Sequence, residues 1–423
     1  MIKLGDLISS DECTEVVRNS HAQDGSFRVV NYRLDKIEGE LGYIGEYAHL
    51  VVTVEPKNGP VQIIKYFVKC LPFSDPKQRH FILELGMFTK EVDCYRQLLS
   101  TFEQNPEKVI KWRPACWLAR DDLLVMEDLV DGGYRSMPLQ RPFGKTHVQL
   151  VLERIAQMHA CSLDLEYNRL NGEKLGEKFG TILFETVFTR KNPWFITGLK
   201  GILTAALEGS KYAKNPEYRA TIQAELQRRM DRIYELSEPS DHFQSVLVHR
   251  DLWFNNIMFR YEQDQTGAVN YDRPTDCVLI DFQLVRYQPP AIDVLSVIYL
   301  LTRKPQRDEL LDFYVKYYYE QLTDKLHKLN LQIENILPWK QFLDSLEHYK
   351  LFGLLWSGVL HAYVNLPEGY LSELHVKDPE AYHEFGTISR DSVLTKFLDT
   401  DPYYRETLME VVDETLEYLF GFK

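Results

Sequence analysis

The chain has 423 residues, 44% hydrophobic and 26% charged, and carries a formal net charge of −13. That length predicts two lobes around a sizeable buried core, and the acidic balance excludes a general nucleic-acid binder, which needs a basic face. Six scattered cysteines form no C-x-x-C pair, the first residues turn acidic at Asp6, and no apolar run reaches membrane-spanning length, so a cytoplasmic protein with reduced thiols and no membrane partner is expected.

In chain order, residues 49–54 are β-branched and strand-like, Lys57-Asn58-Gly59-Pro60 is a turn, and residues 61–70 form a second strand, which together predict a hairpin. Just before it, residues 41–48 hold Gly42 and Gly45 without the G-x-G-x-x-G order. Amides there suit either a phosphate cradle or an ordinary hairpin turn. Phe81, Leu85, Phe88, Val92, Tyr95 and Leu99 recur at helical spacing and predict one long helix. Residues 123–126 predict a buried strand, followed by Glu127-Asp128-Leu129 and the turn-prone Asp131-Gly132-Gly133. The boundary between a first lobe, 1–130, and a second lobe, 131–423, is placed there.

The second lobe is expected to be mainly helical. Val148, Leu152, Ile155, His159 and Ser162 share one helical face, residues 222–236 form another helix, and 308–366 and 403–420 are helical and rich in aromatics. Two short apolar runs, 245–249 and 277–281, interrupt these as an embedded hairpin. Strands first and helices after predict an α+β fold with a smaller β-rich N-lobe and a larger helical C-lobe.

Three motifs carry chemistry. The first is His249-Arg250-Asp251-Leu252-Trp253-Phe254-Asn255-Asn256, an H-R-D with an Asn five positions after the Asp. One short loop can then aim a carboxylate at an acceptor hydroxyl and an amide oxygen at Mg²⁺. A helix start capped by Asp251 is the plain alternative. The second is Val278-Leu279-Ile280-Asp281-Phe282-Gln283, an apolar strand ending in Asp-Phe. Mg²⁺ takes hard oxygens, so Asp281 and Asn256 form a ligand pair. The third is Tyr66-Phe67-Val68-Lys69-Cys70-Leu71-Pro72. A lysine in an apolar strand needs a partner. Lys65 shares its face, and Lys69 is preferred for its more apolar flanks. Glu91, between Phe88 and Tyr95, is the expected partner, with Glu84 as the alternative.

These residues resemble the insect ecdysteroid kinase-like family, whose domain is also called CHK kinase-like and whose fold is related to choline and aminoglycoside kinases. The resemblance rests on residues 67–72, 88–95, Leu124 to Leu129, Ala156-Gln157-Met158-His159-Ala160, 249–259 and Leu279 to Gln283. It implies a two-lobed protein-kinase-like fold that uses ATP and Mg²⁺ to phosphorylate a small-molecule alcohol. By that resemblance Lys69 holds ATP phosphates and Glu91 holds Lys69. Glu127 and Leu129 sit at the adenine-binding hinge, Gly45 belongs to the phosphate-covering loop, Asp251 orients the hydroxyl, and Asn256 and Asp281 hold the metal. Gln283 replaces the glycine of the protein-kinase triplet.

Arg250 departs from the small or polar residue more usual in small-molecule kinases, which keeps a protein kinase as a rival reading. Against it, only residues 282–290 separate Asp281 from the helix opening at Ala291-Ile292-Asp293, and no A-P-E motif follows. A non-catalytic kinase-fold binding protein is the third reading. Asp293 is expected to brace a loop, His159 to bond backbone near residues 249–251, and His249 to be structural. Trp194, Phe195, Tyr349, Phe352, Trp356 and Tyr363 suit either the wall of a wide apolar substrate pocket or plain core. The resemblance implies an ecdysteroid-like alcohol or a xenobiotic as acceptor.

Overall fold

β-branched and aromatic residues build an antiparallel sheet in the first part of the chain. Its strands are β1 Phe27–Lys36, β2 Glu46–Pro56, β3 Gln62–Cys70, β4 Cys116–Arg120 and β5 Leu123–Glu127, in the order β1-β2-β3-β5-β4. The computed structural model describes residues 6–21, 26–37, 45–73, 76–102, 111–138 and 141–423, without the side chains of 77 and 81. Helix α1, Ser10–Ser20, starts in a capping box between Ser9 and Glu12. Its Cys13, Val16 and Val17 pack against Leu50, Val52, Val68 and Val125 of the sheet. The predicted hairpin is β2 with β3, where Val51 faces Lys65 and Tyr47 faces Lys69.

The expected long helix is broken. Helix α2, Pro76–Leu85, ends at Gly86, whose φ of +69° is left-handed, and α3, Met87–Asp93, restarts beyond it. Glycine takes that conformation without steric cost, so it stops one helix where the apolar spacing would have carried it on. A π-helical turn, Cys94–Leu99, follows.

The chain divides into two compact units. The first comprises residues 1–137, 179–183 and 255–284, the second 138–178, 184–254 and 285–423. Strands β6 Arg135–Ser136, β8 Ile257–Gln263 and β9 Val269–Leu279 form a second sheet in the first unit. The β8–β9 turn is closed by Asp264, whose Oδ1 accepts from the amides of Thr266 and Ala268, with Gly267 at φ +85°. The two apolar runs expected to pair with each other do not. Strand β7, Val246–Val248, pairs with β10, Arg286–Gln288, whereas Cys277 to Leu279 pair with Ile257 to Phe259. Each run was too short to specify its own neighbour.

The second unit is mainly helical, so the expected α+β class, β-rich first and helical after, is the one observed. The helix Lys145–Asp164 is buried along most of its length. The helices Ala291–Leu301 and Trp339–Val364 approach closely at Gly353, where a Cβ would lie 2.9 Å from Leu295 Cβ. The segment expected as one helix over 222–236 is Pro216–Met230, capped by Asn215 with Pro216 in the first turn, and then a separate turn Ile233–Leu236. The two C-terminal helical predictions correspond to Lys304–Lys328, Trp339–Val364 and Pro402–Phe420. No helix among the described residues is long and apolar enough to cross a membrane.

Candidate active site

In the first unit, β3 carries Lys69 into the interior, where it is 4% exposed. Its Nζ lies 2.6 Å from Glu91 Oε2 and 2.9 Å from Asp281 Oδ1. Glu91, 1% exposed on α3, also accepts the Phe282 amide on Oε1 at 3.2 Å. One carboxylate therefore joins the strand lysine to the turn that carries Asp281. Burial alone would depress the lysine, but Asp281 and Glu91 together hold it well above its ordinary pKa, so it stays cationic. Lys65 is half-buried, 3.5 Å from Asp128 Oδ2, and Glu84 is exposed beside His80. Of the two lysines and two glutamates singled out in the sequence, Lys69 and Glu91 are the pair in contact.

Asp281 follows β9 at a φ of +69°, an uncommon conformation for a residue with a side chain. Its neighbours fix it. Phe282 packs edge-on against Tyr95 and Trp112, and the Ile280 amide donates to the Asn256 carbonyl at 3.0 Å. Asn256, 5% exposed, ends a 3₁₀ turn and leads into β8, which pairs with β9. The two predicted metal ligands thus lie at the starts and ends of paired strands. Gln283 lies within a 3₁₀ turn, Phe282–Leu284, and β10 and the helix from Ala291 follow at once.

Glu127 ends β5 with its carboxylate engaged by Lys111 and by the Ala115 amide at 3.3 Å. Leu129 is buried with Tyr134 and Val278, beside Met258 and Ile280. Asp128 Oδ1 accepts the amides of Val130 and Asp131, which shapes the turn between them. Gly45 has φ +136°, and a Cβ there would lie 3.1 Å from the Cys70 carbonyl and 3.7 Å from Lys69 Cγ. The backbone at Gly45 therefore passes directly against the lysine. Gly42 and the rest of residues 41–44 lie outside the described residues.

In the second unit, Asp293 organises the H-R-D loop. Its Oδ2 accepts the His249 amide at 2.7 Å and its Oδ1 accepts the Arg250 amide at 2.8 Å. His159 lies between Asp293 Oδ2, 3.1 Å away, and the Tyr318 hydroxyl, 2.7 Å away. The expected backbone bond for His159 is thus replaced by two side-chain partners, one of which braces the loop. The Asp251 amide donates to His249 Nδ1 at 3.3 Å. Arg250 has φ +70° and is 1% exposed; Trp356 Nε1 donates to its carbonyl at 2.8 Å.

Glu185 was not anticipated from the sequence. Its Oε2 takes Arg250 Nη1 at 2.7 Å, and its Oε1 accepts the amides of Thr186, Val187 and Phe188. Burial pushes this carboxyl up, but Arg250, Arg286 and the backbone amides outweigh it and hold the pKa at about 2. The only signal in the sequence was Arg250 itself, a cation in an apolar neighbourhood that needed an acid. Phe195, Tyr349, Phe352, Trp356 and Tyr363 are all buried, and Phe188 packs on Phe195, Phe352 and Trp356 at 4.7 to 4.9 Å. Phe188, Phe195, Phe352 and Trp356 thus pack as core, whereas Trp194 is half-buried, edge-on to Trp356 and Tyr363.

Among the described residues, no group of three or more His, Cys, Asp or Glu side chains could hold a metal ion by itself. All six cysteines are free thiols. The sequence over residues 41–331 matches a family described as the ecdysteroid kinase-like family. No curated protein matches the chain significantly. Among solved structures, it is similar to an ethanolamine kinase of Plasmodium vivax at 13% identity, TM-score 0.42, covering 95% of this chain and 86% of that one. It is also similar to a spectinomycin phosphotransferase, APH(9)-Ia, in complex with ADP and spectinomycin, at 13% identity, TM-score 0.41, covering 97% and 99%. A third is the choline kinase LicA of Streptococcus pneumoniae, at 10% identity, TM-score 0.30, covering 81% and 98%.

Proposed function

Because the chain belongs to the ecdysteroid kinase-like family, we propose that it is an ATP-dependent small-molecule kinase that phosphorylates a hydroxyl of a lipophilic alcohol, an ecdysteroid-like compound or a xenobiotic. The observation that carries this reading is the Lys69–Glu91–Asp281 triplet, with Lys69 and Glu91 buried. A cation held between two acids near the end of an apolar strand has a clear use toward a polyphosphate: Lys69 would pair with the phosphate oxygens, leaving the Asp281 carboxylate available to hold a metal. Asp281 and Asn256 would hold the metal, offering the hard oxygens that Mg²⁺ favours. Magnesium, when bound, neutralises charge on the phosphate oxygens.

The remaining steps belong to this chain's own groups. Leu129, with Met258 and Ile280, offers an apolar seat for a planar base. The amide of Gly45 covers the phosphates beside Lys69. Asp251 orients the acceptor hydroxyl and takes its proton as the new O–P bond to the γ-phosphate forms and the bond from that phosphorus to the β,γ-bridging oxygen breaks, with ADP leaving on that oxygen. Transfer of this kind depends mainly on positioning and electrostatics. The short connection after Asp281 favours a small acceptor over a peptide, which needs a longer docking segment.

The test is twofold. Mg·ATP should raise the melting temperature of the wild type and not that of Lys69→Met. A panel of steroids, amino alcohols and plant-type alcohols, screened for ATP consumption, should give at least one product heavier by a single phosphate. No Mg-dependent shift would instead favour a non-catalytic binding protein, and phosphorylated peptide without phosphorylated alcohol would favour a protein kinase.

A further inference from the structure

Arg250 occupies a position whose backbone favours glycine. Its φ of +70° is left-handed, yet the residue is bulky and 1% exposed. Such a conformation persists where the surroundings over-determine it, and here both backbone polar groups and one end of the guanidinium are held. Asp293 takes its amide and Trp356 donates to its carbonyl. Glu185 takes its Nη1, and the Phe188 ring lies 4.3 Å from its guanidinium carbon. Nε and Nη2 make no hydrogen bond among the described residues, so Glu185 is the acid on which this cation depends. The turn at residues 185–188 supplies both carboxylate and ring, and Glu185 itself is pinned by three amides of that turn.

We propose that Glu185 is a positioning residue for phosphoryl transfer: through Arg250 it fixes the left-handed turn that aims Asp251, so the loop is assembled by the fold and needs no phosphorylation. The proposal rests on the reading of Asp251 as the hydroxyl-orienting group. In kinases regulated on a mobile segment, an arginine cluster waits for a phosphate that orders the segment. Here an internal carboxylate already fills that role. Arg286 Nε lies 3.7 Å from the same Glu185 oxygen, so two buried cations share one acid. Removing that acid leaves both without it.

Hydrogen–deuterium exchange of the full-length protein tests this. The amides of His249, Arg250 and Asp251 all donate to side chains, so their exchange reports the turn directly. Glu185→Gln should speed exchange in peptides covering 246–254 by about tenfold or more while the helix Lys145–Asp164 keeps its protection. ADP release should fall in kcat with little change in KM for ATP. The double variant Glu185→Gln with Arg250→Gly should recover protection, because glycine takes the left-handed turn without a tether. Phosphatase treatment of the wild type should change neither readout.

Wild-type exchange in Glu185→Gln overturns the proposal, as does loss of protection after phosphatase treatment. If Glu185→Gln unfolds altogether, the double variant decides: recovered protection supports the proposal and a still-open loop refutes it. Asp251→Asn, run in parallel, judges the functional reading separately, since full turnover in that variant removes the kinase role of Asp251 whatever the exchange result.

Discussion

Glu91→Gln isolates the central ion pair. The substitution keeps the shape of a side chain that is 1% exposed but removes its charge. The carboxylate now accepts from Lys69 Nζ at 2.6 Å and from the Phe282 amide at 3.2 Å. A glutamine has one oxygen for these two donors. If it faces Lys69, its NH₂ meets the Phe282 N–H, and one bond is lost along with the charge. Hydrogen bonds to charged groups are worth about 1.5–3 kcal/mol. Lys69 keeps Asp281, so the loss stays below that of an orphaned buried charge, about 3–5 kcal/mol. The expected destabilisation is therefore about 3 kcal/mol, or a fall of roughly 6–12 °C in melting temperature at about 2–4 °C per kcal/mol. KM for ATP should rise by about tenfold as Lys69 settles on Asp281, equivalent to about 1.4 kcal/mol. Differential scanning fluorimetry and steady-state kinetics read the two effects. Glu84→Gln is the control, since that side chain is exposed on a neighbouring helix. If Glu91→Gln melts with the wild type while Glu84→Gln does too, the pair carries no weight and the reasoning fails.

Asp251→Asn should lower kcat by about 10²–10⁴-fold while the Mg·ATP thermal shift persists; a full kcat would refute its role. Gly353→Ala should cost about 1–3 kcal/mol in chemical denaturation through overpacking, because the new methyl would lie 2.9 Å from Leu295 Cβ and 3.0 Å from Tyr299 Cδ2; an unchanged midpoint would show that the helices part freely. Burial pushes the His361 imidazole down from 6.5 to about 4, so it is neutral in the fold and protonates more readily in the unfolded chain. Its contribution is complete above about pH 6.5 and is lost as pH falls through about 4, roughly 3 kcal/mol in all. His361→Gln should flatten the stability curve across that window, and identical slopes for the two proteins would contradict the assignment.

The parts legible in the sequence were those where one local feature decides the outcome. Lys69 stood in an apolar strand and needed an acid, and Glu91 lay on the inward face of the next helical stretch. The Asp281 and Asn256 motifs announced themselves by flanking strands. Strand β1 was missed because six of its ten residues are exposed and its sequence, with Arg28, Asn31, Arg33 and Asp35, looks like a solvated loop. The break at Gly86 was hidden because the apolar spacing runs straight through it, and only the positive φ reveals the stop. The pairing of β7 with β10 rests on two three-residue runs meeting, and it leaves Cys277 to Leu279 to β8 instead, a choice that composition does not encode. Glu185 was invisible for the same reason: its partner lies 65 positions away, and nothing local marks it.

The make-up of the first unit also imposes a schedule on its synthesis. Residues 255–284 complete that unit, but the ribosome reaches them only after most of the intervening helical stretch has been made. At about 5–20 residues per second the wait is on the order of ten seconds. During it the nascent sheet has Lys69 and Glu91 but no Asp281, and Leu129 and Tyr134 lack the Val278 they will later cover. An apolar surface waiting that long is a natural client for chaperones, and a stalled or truncated message would release the five-stranded sheet without β8, β9 and Asp281.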